Sequence, residues 1–167
     1  EDETQPEKIL DEESANAGIN YIFGPESHIY GSFTQGFRYP VMDEQFNFFF
    51  SSVDHTLQPQ RSRNYEIGGS VQIVTGFVAR LNLFRTETKD EIFFNSVASK
   101  NQNMDGKTIR QGAEVGFDWH WKALSIVAGY TFTRTEFDGG DYDGNEVPAV
   151  PRDRATAGIG YTTAGGL

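Results

Sequence analysis

The sequence predicts an all-β fold: an antiparallel up-and-down meander of about seven strands. Three observations carry this. Apolar and polar residues alternate with period two along most of the chain, and helical periodicity is nearly absent. Short and long connections alternate without exception. The composition joins 14 Phe to 18 Gly within 167 residues, a mixture expected where pleated strands meet tight bends or small-residue faces.

The strands follow in order. Residues 18–23 alternate through Ile19, Tyr21 and Phe23. In 28–38, Ile29, Phe33 and Phe37 oppose His28, Tyr30, Ser32, Thr34 and Arg38. In 64–74, Tyr65, Ile67, Val71 and Ile73 oppose Glu66, Gly68, Ser70 and Gln72. A long strand is expected at 77–94, with Phe77, Ala79, Leu81 and Leu83 on its apolar side before charges take over. At ~3.3 Å per residue it would run roughly 60 Å. The clearest alternation is 109–121. There Ala113, Val115, Phe117, Trp119 and Trp121 point one way, and Arg110, Glu114, Asp118 and His120 the other. Residues 124–136 repeat it with Leu124, Ile126, Ala128, Tyr130 and Phe132, and 155–162 close the series.

The turns at 24–27, 75–76 and 122–123 are short and hairpin-like, whereas 39–63, 95–108 and 137–154 are long. Tight turns at one end and long loops at the other describe part of a larger transmembrane β-barrel. A soluble β-sandwich, binding carbohydrate or protein, would also alternate, but its outward face would be richly charged. Here the polar face is rich in Gly, Ser and Thr, and the apolar face carries bulky aromatics. Trp119 and Trp121 sit beside a short turn, and Tyr130, Phe132 and Phe137 approach a long loop. Those are the places for two aromatic girdles.

Charge and composition exclude several functions. With 14 Lys plus Arg against 24 Asp plus Glu, the net charge is −10, the wrong sign for a nucleic-acid binder. There is no Cys, hence no disulfide framework or thiolate chemistry. No apolar run approaches the ~18 residues of a transmembrane helix. His28, His55 and His120 lack metal-ligand spacing, and no catalytic constellation stands out, so neither an enzyme nor a resident cofactor or metal is expected.

Five ordered blocks then carry a resemblance. They are YGSFTQGFRYP at 30–40 with DEQF at 43–46, LQPQRSRNYEIG at 57–68, FRTETKDEIF at 84–93, TIRQGAE at 108–114, and YTFTRTEF at 130–137 leading to VPAVPR at 147–152. Together they resemble TonB-dependent outer-membrane receptors of the siderophore type. The resemblance implies a plugged barrel of about 22 strands in the outer membrane of a Gram-negative bacterium. It also implies energised uptake of a scarce nutrient, most often a ferric siderophore, with lipid, the TonB complex and a plug domain as partners. No plug, TonB-recognition segment or final aromatic strand is found, so 1–167 is expected to be a partial barrel domain. Porins lack this motif set, although strand patterning alone would not exclude a passive porin.

Candidate site residues follow. Tyr39, Phe46, Phe48, Phe49 and Phe50 form an aromatic long loop, which could stack on a ligand or instead pack against neighbouring loops. Arg110, Glu114, Asp118 and His120 are expected to line the lumen, contacting the permeation path or plug, or simply pairing across strands. The acidic loop 138–146 offers carboxylates that could take calcium, but without the spacing of a known calcium loop.

Overall fold

Three tight turns set the register of the sheet. Each carries a residue in the left-handed region: Glu26 (φ 49°), Gly76 (φ 80°) and Lys122 (φ 53°). At Gly76 the glycine is required, because a Cβ would lie 2.3 Å from the His120 carbonyl oxygen. The computed structural model describes residues 11–47 and 52–163. Its elements are β1 (Ala15–Gly24), β2 (Ser27–Arg38), α1 (Met42–Gln45), β3 (Phe46–Asn47), β4 (Ser52–Val53) and β5 (Gln60–Val74). They continue with β6 (Phe77–Lys89), β7 (Ile92–Asn95), β8 (Lys100–Asn103), β9 (Lys107–Trp121), β10 (Leu124–Asp138) and β11 (Asp153–Tyr161).

One antiparallel sheet contains β1-β2-β5-β6-β9-β10-β11 in that spatial order. Chain neighbours in the sheet are space neighbours, as an up-and-down meander requires. The pairs β3–β4 and β7–β8 are separate two-stranded hairpins within the first and second long connections.

The expected strand at 77–94 is corrected. It ends at Lys89; Asp90 turns the chain at φ 55°, and Ile92 starts the β7–β8 hairpin. Aspartate tolerates this conformation better than most non-glycine residues. The apolar alternation at Ile92 and Phe93 therefore belongs to a new element, and the main strand is 13 residues, about 43 Å.

Register separates two faces. One row runs Ile67, Leu83, Ala113 and Phe132, and the next Gly69, Leu81, Val115 and Tyr130. Nearer the tight turns come Phe77, Trp119, Ile126 and Ile159. Phe77 stacks on Phe117 at 6.1 Å and Trp119 on Trp121 at 6.2 Å. This face is open: Ile67 is 63% exposed, Leu81 49% and Ile159 77%. Among the described residues, the buried hydrophobic side chains are Leu57, Val78 and Ile109. A soluble sandwich needs a second sheet over its apolar face. Here the described residues place none there, and the sandwich alternative is set aside.

The opposite face carries His28, Tyr30, Ser70, Arg80, Asn82, Glu114, Asp118 and Thr156. Phe137 is corrected to this side, because it pairs with Thr108, whose neighbour Ile109 points the other way. It packs against Tyr142 at 5.7 Å and so lies outside the expected girdle. Gly68 makes room on the polar face, since a Cβ there would meet the Tyr30 ring at 2.9 Å.

Candidate functional site

The polar face is concave. A cavity of about 450 Å³ opens on it, lined by His28, Tyr30, Arg80, Asn82, Glu114 and Arg154 among others. Alternation brings these side chains to one side, and register sets their partners. Tyr30 Oη donates to Asn82 Oδ1 at 3.0 Å, and Asn82 Nδ2 to Glu114 Oε2 at 3.3 Å. Toward the tight turns, Arg80 pairs with Asp118. The Ser70 hydroxyl donates to the Glu26 carbonyl at 2.6 Å and lies 3.0 Å from His28 Nδ1.

At the other end, the first two long connections fold onto this face and onto one another. Arg110 Nη2 donates to Glu91 Oε1 at 2.7 Å, and the Thr108 hydroxyl also donates to Glu91. Burial alone would push the Glu91 carboxyl up. Hydrogen bonds from Arg110 and Thr108, with the Arg110 charge, outweigh it and hold the group below its ordinary range. Asn103 accepts from the Gln58 amide at 2.7 Å and donates to the Gln58 carbonyl at 2.9 Å. Asn101 donates to the Glu44 carbonyl at 3.0 Å, and Lys100 pairs with Asp54 at 3.1 Å.

Glu44 also holds its own loop. It accepts from Arg38 at 2.8 and 2.9 Å and from the Val41 amide at 3.0 Å. The Arg38 hydrogen bonds lower its pKa against an opposing effect of burial. Arg110, Lys100, Asn101 and Asn103 thus bridge positions 19 to 57 residues apart, so the loops act as one roof rather than as free tethers.

Beside this roof lies an apolar pocket of about 420 Å³. Phe93, Met104, Phe137, Tyr142, Val147 and Pro148 line it, with Glu91 and Glu146 at its margin. Its walls come from the β7–β8 hairpin and the connection after β10. This is a preformed surface for an apolar or aromatic group, bounded by carboxylates that already have partners: Arg110 for Glu91 and Arg152 for Glu146.

Arg110, Glu114, Asp118 and His120 all lie on the concave face, spread along its length. Arg110 clasps the roof, Glu114 joins the central network, and Asp118 and His120 lie toward the tight turns. Tyr39 packs edge-on against Phe37 at 5.1 Å, on the apolar side of β2, away from the cavity. Phe46 pairs with Val53 in the β3–β4 hairpin. Phe48, Phe49 and Phe50 lie outside the described residues.

Among the described residues no three His, Asp or Glu side chains converge to hold a metal ion. Sequence reading missed Glu91, Asn103 and the Phe93–Tyr142 pocket. The run Lys89-Asp90-Glu91 was the available signal, since a charged turn-forming pair interrupts the apolar alternation there.

Comparison with known proteins agrees with this geometry. The family model "TonB dependent receptor-like, beta-barrel" matches residues 6–167. The ferric yersiniabactin uptake receptor of Yersinia pestis is similar, with a TM-score of 0.66 and 22% identity, over 86% of this chain and 22% of that one. The ferric-catecholate import receptor of E. coli K12 gives 0.63 and 20%, over 87% and 22%. A copper transporter gives 0.70 and 16%, over 90% and 25%. The chain thus spans about a fifth to a quarter of the length of these structures. The family is one of transporters rather than enzymes, and its match sets the passive-porin alternative aside. An aromatic face that the described residues leave uncovered, a roofed concave polar face and a family match over nearly the whole length lead to one conclusion: the chain belongs to the TonB-dependent receptor-like β-barrel family.

Proposed function

We propose that this chain is barrel wall in an outer-membrane receptor that takes up a ferric chelate of the siderophore class, driven through TonB. The observation that carries the reading is the apolar pocket built beside a cross-tied roof over the polar concave face. An organic chelator presents aromatic and aliphatic groups that such a pocket can bury, whereas a bare ion presents none. The similar structures carry ferric chelates in two cases and copper in one. The fold therefore does not choose the cargo, and the pocket's chemistry favours the chelate.

The membrane placement has its own support. On the outward face, the rows from Trp121 to Ala113 cover nine residues of β9, the span of a membrane-crossing strand. Apolar and aromatic side chains dominate there; charge begins with Asp153 at the edge of the Ala113 row and continues in the next row, Arg85–Gln111–Arg134. In this reading the long connections are extracellular and the tight turns periplasmic. The concave face lines the lumen, where Glu114 and its neighbours meet a plug domain. The aromatic segment Phe46 to Phe50 forms part of the ligand-facing rim.

Uptake of radioactive ferric chelates of catecholate, hydroxamate and carboxylate type, by iron-starved cells with and without TonB, tests the proposal. One chelate should accumulate only with TonB, and accumulation should fall when Phe93 and Tyr142 are both changed to Ser. Replacing Phe48, Phe49 and Phe50 with Ser should weaken chelate binding at least tenfold, ~1.4 kcal/mol, with the barrel still assembled. TonB-independent entry of every chelate would refute the proposal.

A further inference from the structure

The three long connections carry most of the chain's negative charge. Residues 39–59 hold Asp43, Glu44 and Asp54 and no Lys or Arg. Residues 90–106 hold Asp90, Glu91 and Asp105 against Lys100, and 139–152 hold Asp141, Asp143 and Glu146 against Arg152. Nine carboxylates against two cations leave a net charge of −7, out of −10 for the whole chain. The rest of the chain, more than twice as long, carries only −3. The acidity is thus concentrated at the end of the sheet where the apolar pocket opens.

Pairing removes the positive side of this balance. Lys100 is held by Asp54 at 3.1 Å, and Arg152 by Glu146. The strand cations beside them are engaged as well, Arg38 with Glu44 at 2.8 Å and Arg110 with Glu91 at 2.7 Å. By contrast, Asp43, Asp105, Asp141 and Asp143 have no cation within ion-pair distance among the described residues. Three of these four adjoin the pocket in sequence: Asp105 follows Met104, and Asp141 and Asp143 flank Tyr142. All three are exposed. Among the described residues no Lys, Arg or His lines the pocket. Apart from the two carboxylates at its margin, its polar side chains are those of Tyr142 and Asn145.

We infer that the pocket selects an uncharged iron chelate, one of the trihydroxamate class, and rejects anionic ones. The inference rests on the uptake reading above and narrows its cargo. Three hydroxamates, each a monoanion, cancel the charge of ferric iron, whereas three catecholates, each a dianion, leave a trianion. Unpaired carboxylates raise the energy of an approaching anion, and their summed field lowers its local concentration and capture rate. A neutral chelate meets no such barrier. Its hydrocarbon spacers stand apart from the metal-bound oxygens, so Phe93, Phe137 and Tyr142 can cover them without drawing charge into the pocket. In a tricatecholate the rings that would enter carry the charged oxygens themselves. Burying those beside Glu91 and Glu146 leaves an anion with no cation to answer it.

A charge series on one scaffold tests this with the intact receptor carrying this chain. Ferric complexes of a linear trihydroxamate ending in an amide or in a carboxylate share a shape and an iron centre and differ in charge. At neutral pH and low salt the amide form should bind at least tenfold more tightly than the carboxylate form, and a ferric tricatecholate more weakly than either. Added salt should narrow the gap, because screening acts on the charged form alone. Asp105→Lys with Asp141→Lys should narrow it at least threefold, and Asp105→Asn with Asp141→Asn in the same direction by less. Equal binding of the amide and carboxylate forms, or tighter binding of the tricatecholate, overturns the inference and leaves chelate uptake standing. A gap that neither variant narrows also overturns it, since selection would then come from elsewhere in the receptor. Binding of none of these chelates overturns both readings.

Discussion

Glu91 and Arg110, 19 positions apart, meet at 2.7 Å and join the β7–β8 hairpin to the concave wall of β9. The contact exists because Asp90 reverses the chain just above β6. The Glu91 carboxylate then falls over the polar face where Thr108 and Arg110 emerge. Without that reversal the hairpin would continue the strand away from the sheet, and the roof would not form.

The clasp should be acid-labile. Its carboxyl is held below the ordinary range by Arg110 and Thr108 against burial. Its contribution is therefore complete above the unfolded carboxylate pKa and is lost as pH falls through the depressed folded value. Amide protection factors across residues 92–103, taken relative to intrinsic exchange at each pH, should be high at neutral pH and fall in acid. Glu91→Gln should lower protection at neutral pH and largely flatten its pH dependence, at a local cost of about 1.5–3 kcal/mol. An unchanged profile in Glu91→Gln would mean that the hairpin is held by Asn101 and Asn103 alone.

The turn between β5 and β6 should not accept a side chain. Gly76→Ala places a Cβ against the His120 carbonyl at a positive φ, costing about 1–3 kcal/mol in backbone strain alone. The heat-induced gel shift of the assembled barrel should move to lower temperature. Gly144→Ala, in a long connection with open space around it, should move it less.

Opposite faces of β9 should differ in tolerance. Val115→Arg introduces charge in the apolar band and should cost ~2–4 kcal/mol. Glu114→Gln keeps the hydrogen-bonding shape toward Asn82 and should be mild. Folding titrations into neutral vesicles compare them directly, and equal effects would contradict the assignment of faces.

Topology can be read with single cysteines, since the chain has none of its own. Val97, 95% exposed at the tip of the β7–β8 hairpin, and Glu26 in the tight turn after β1 are suitable positions. An impermeant thiol reagent on whole cells should label Val97→Cys and not Glu26→Cys. The reverse result would invert the orientation.

The strands were legible in the sequence because the pleat has a period of two, and the period survives whatever surrounds the strand. Val115 and Glu114 had to face opposite ways in any sheet, and the alternation of tight turns with long connections required a meander. The ordered blocks pointed to the receptor family for the same reason: strand and turn chemistry is local. What surrounds the sheet's upper end was not local. Phe93 could be read as strand continuation until Asp90 was placed in the left-handed region. Arg110 could be read as a free lumen cation until Glu91 was folded against it.

The row Arg61–Lys89–Lys107 is the sharpest case. Arg61, Lys89 and Lys107 are scattered through 47 residues of an acidic chain, and only register sets them side by side. Alternation depends on backbone geometry that each residue carries with it. Pairing between loops and across strands depends on which distant groups the folded sheet brings within hydrogen-bond reach, and that was decided by the tertiary structure.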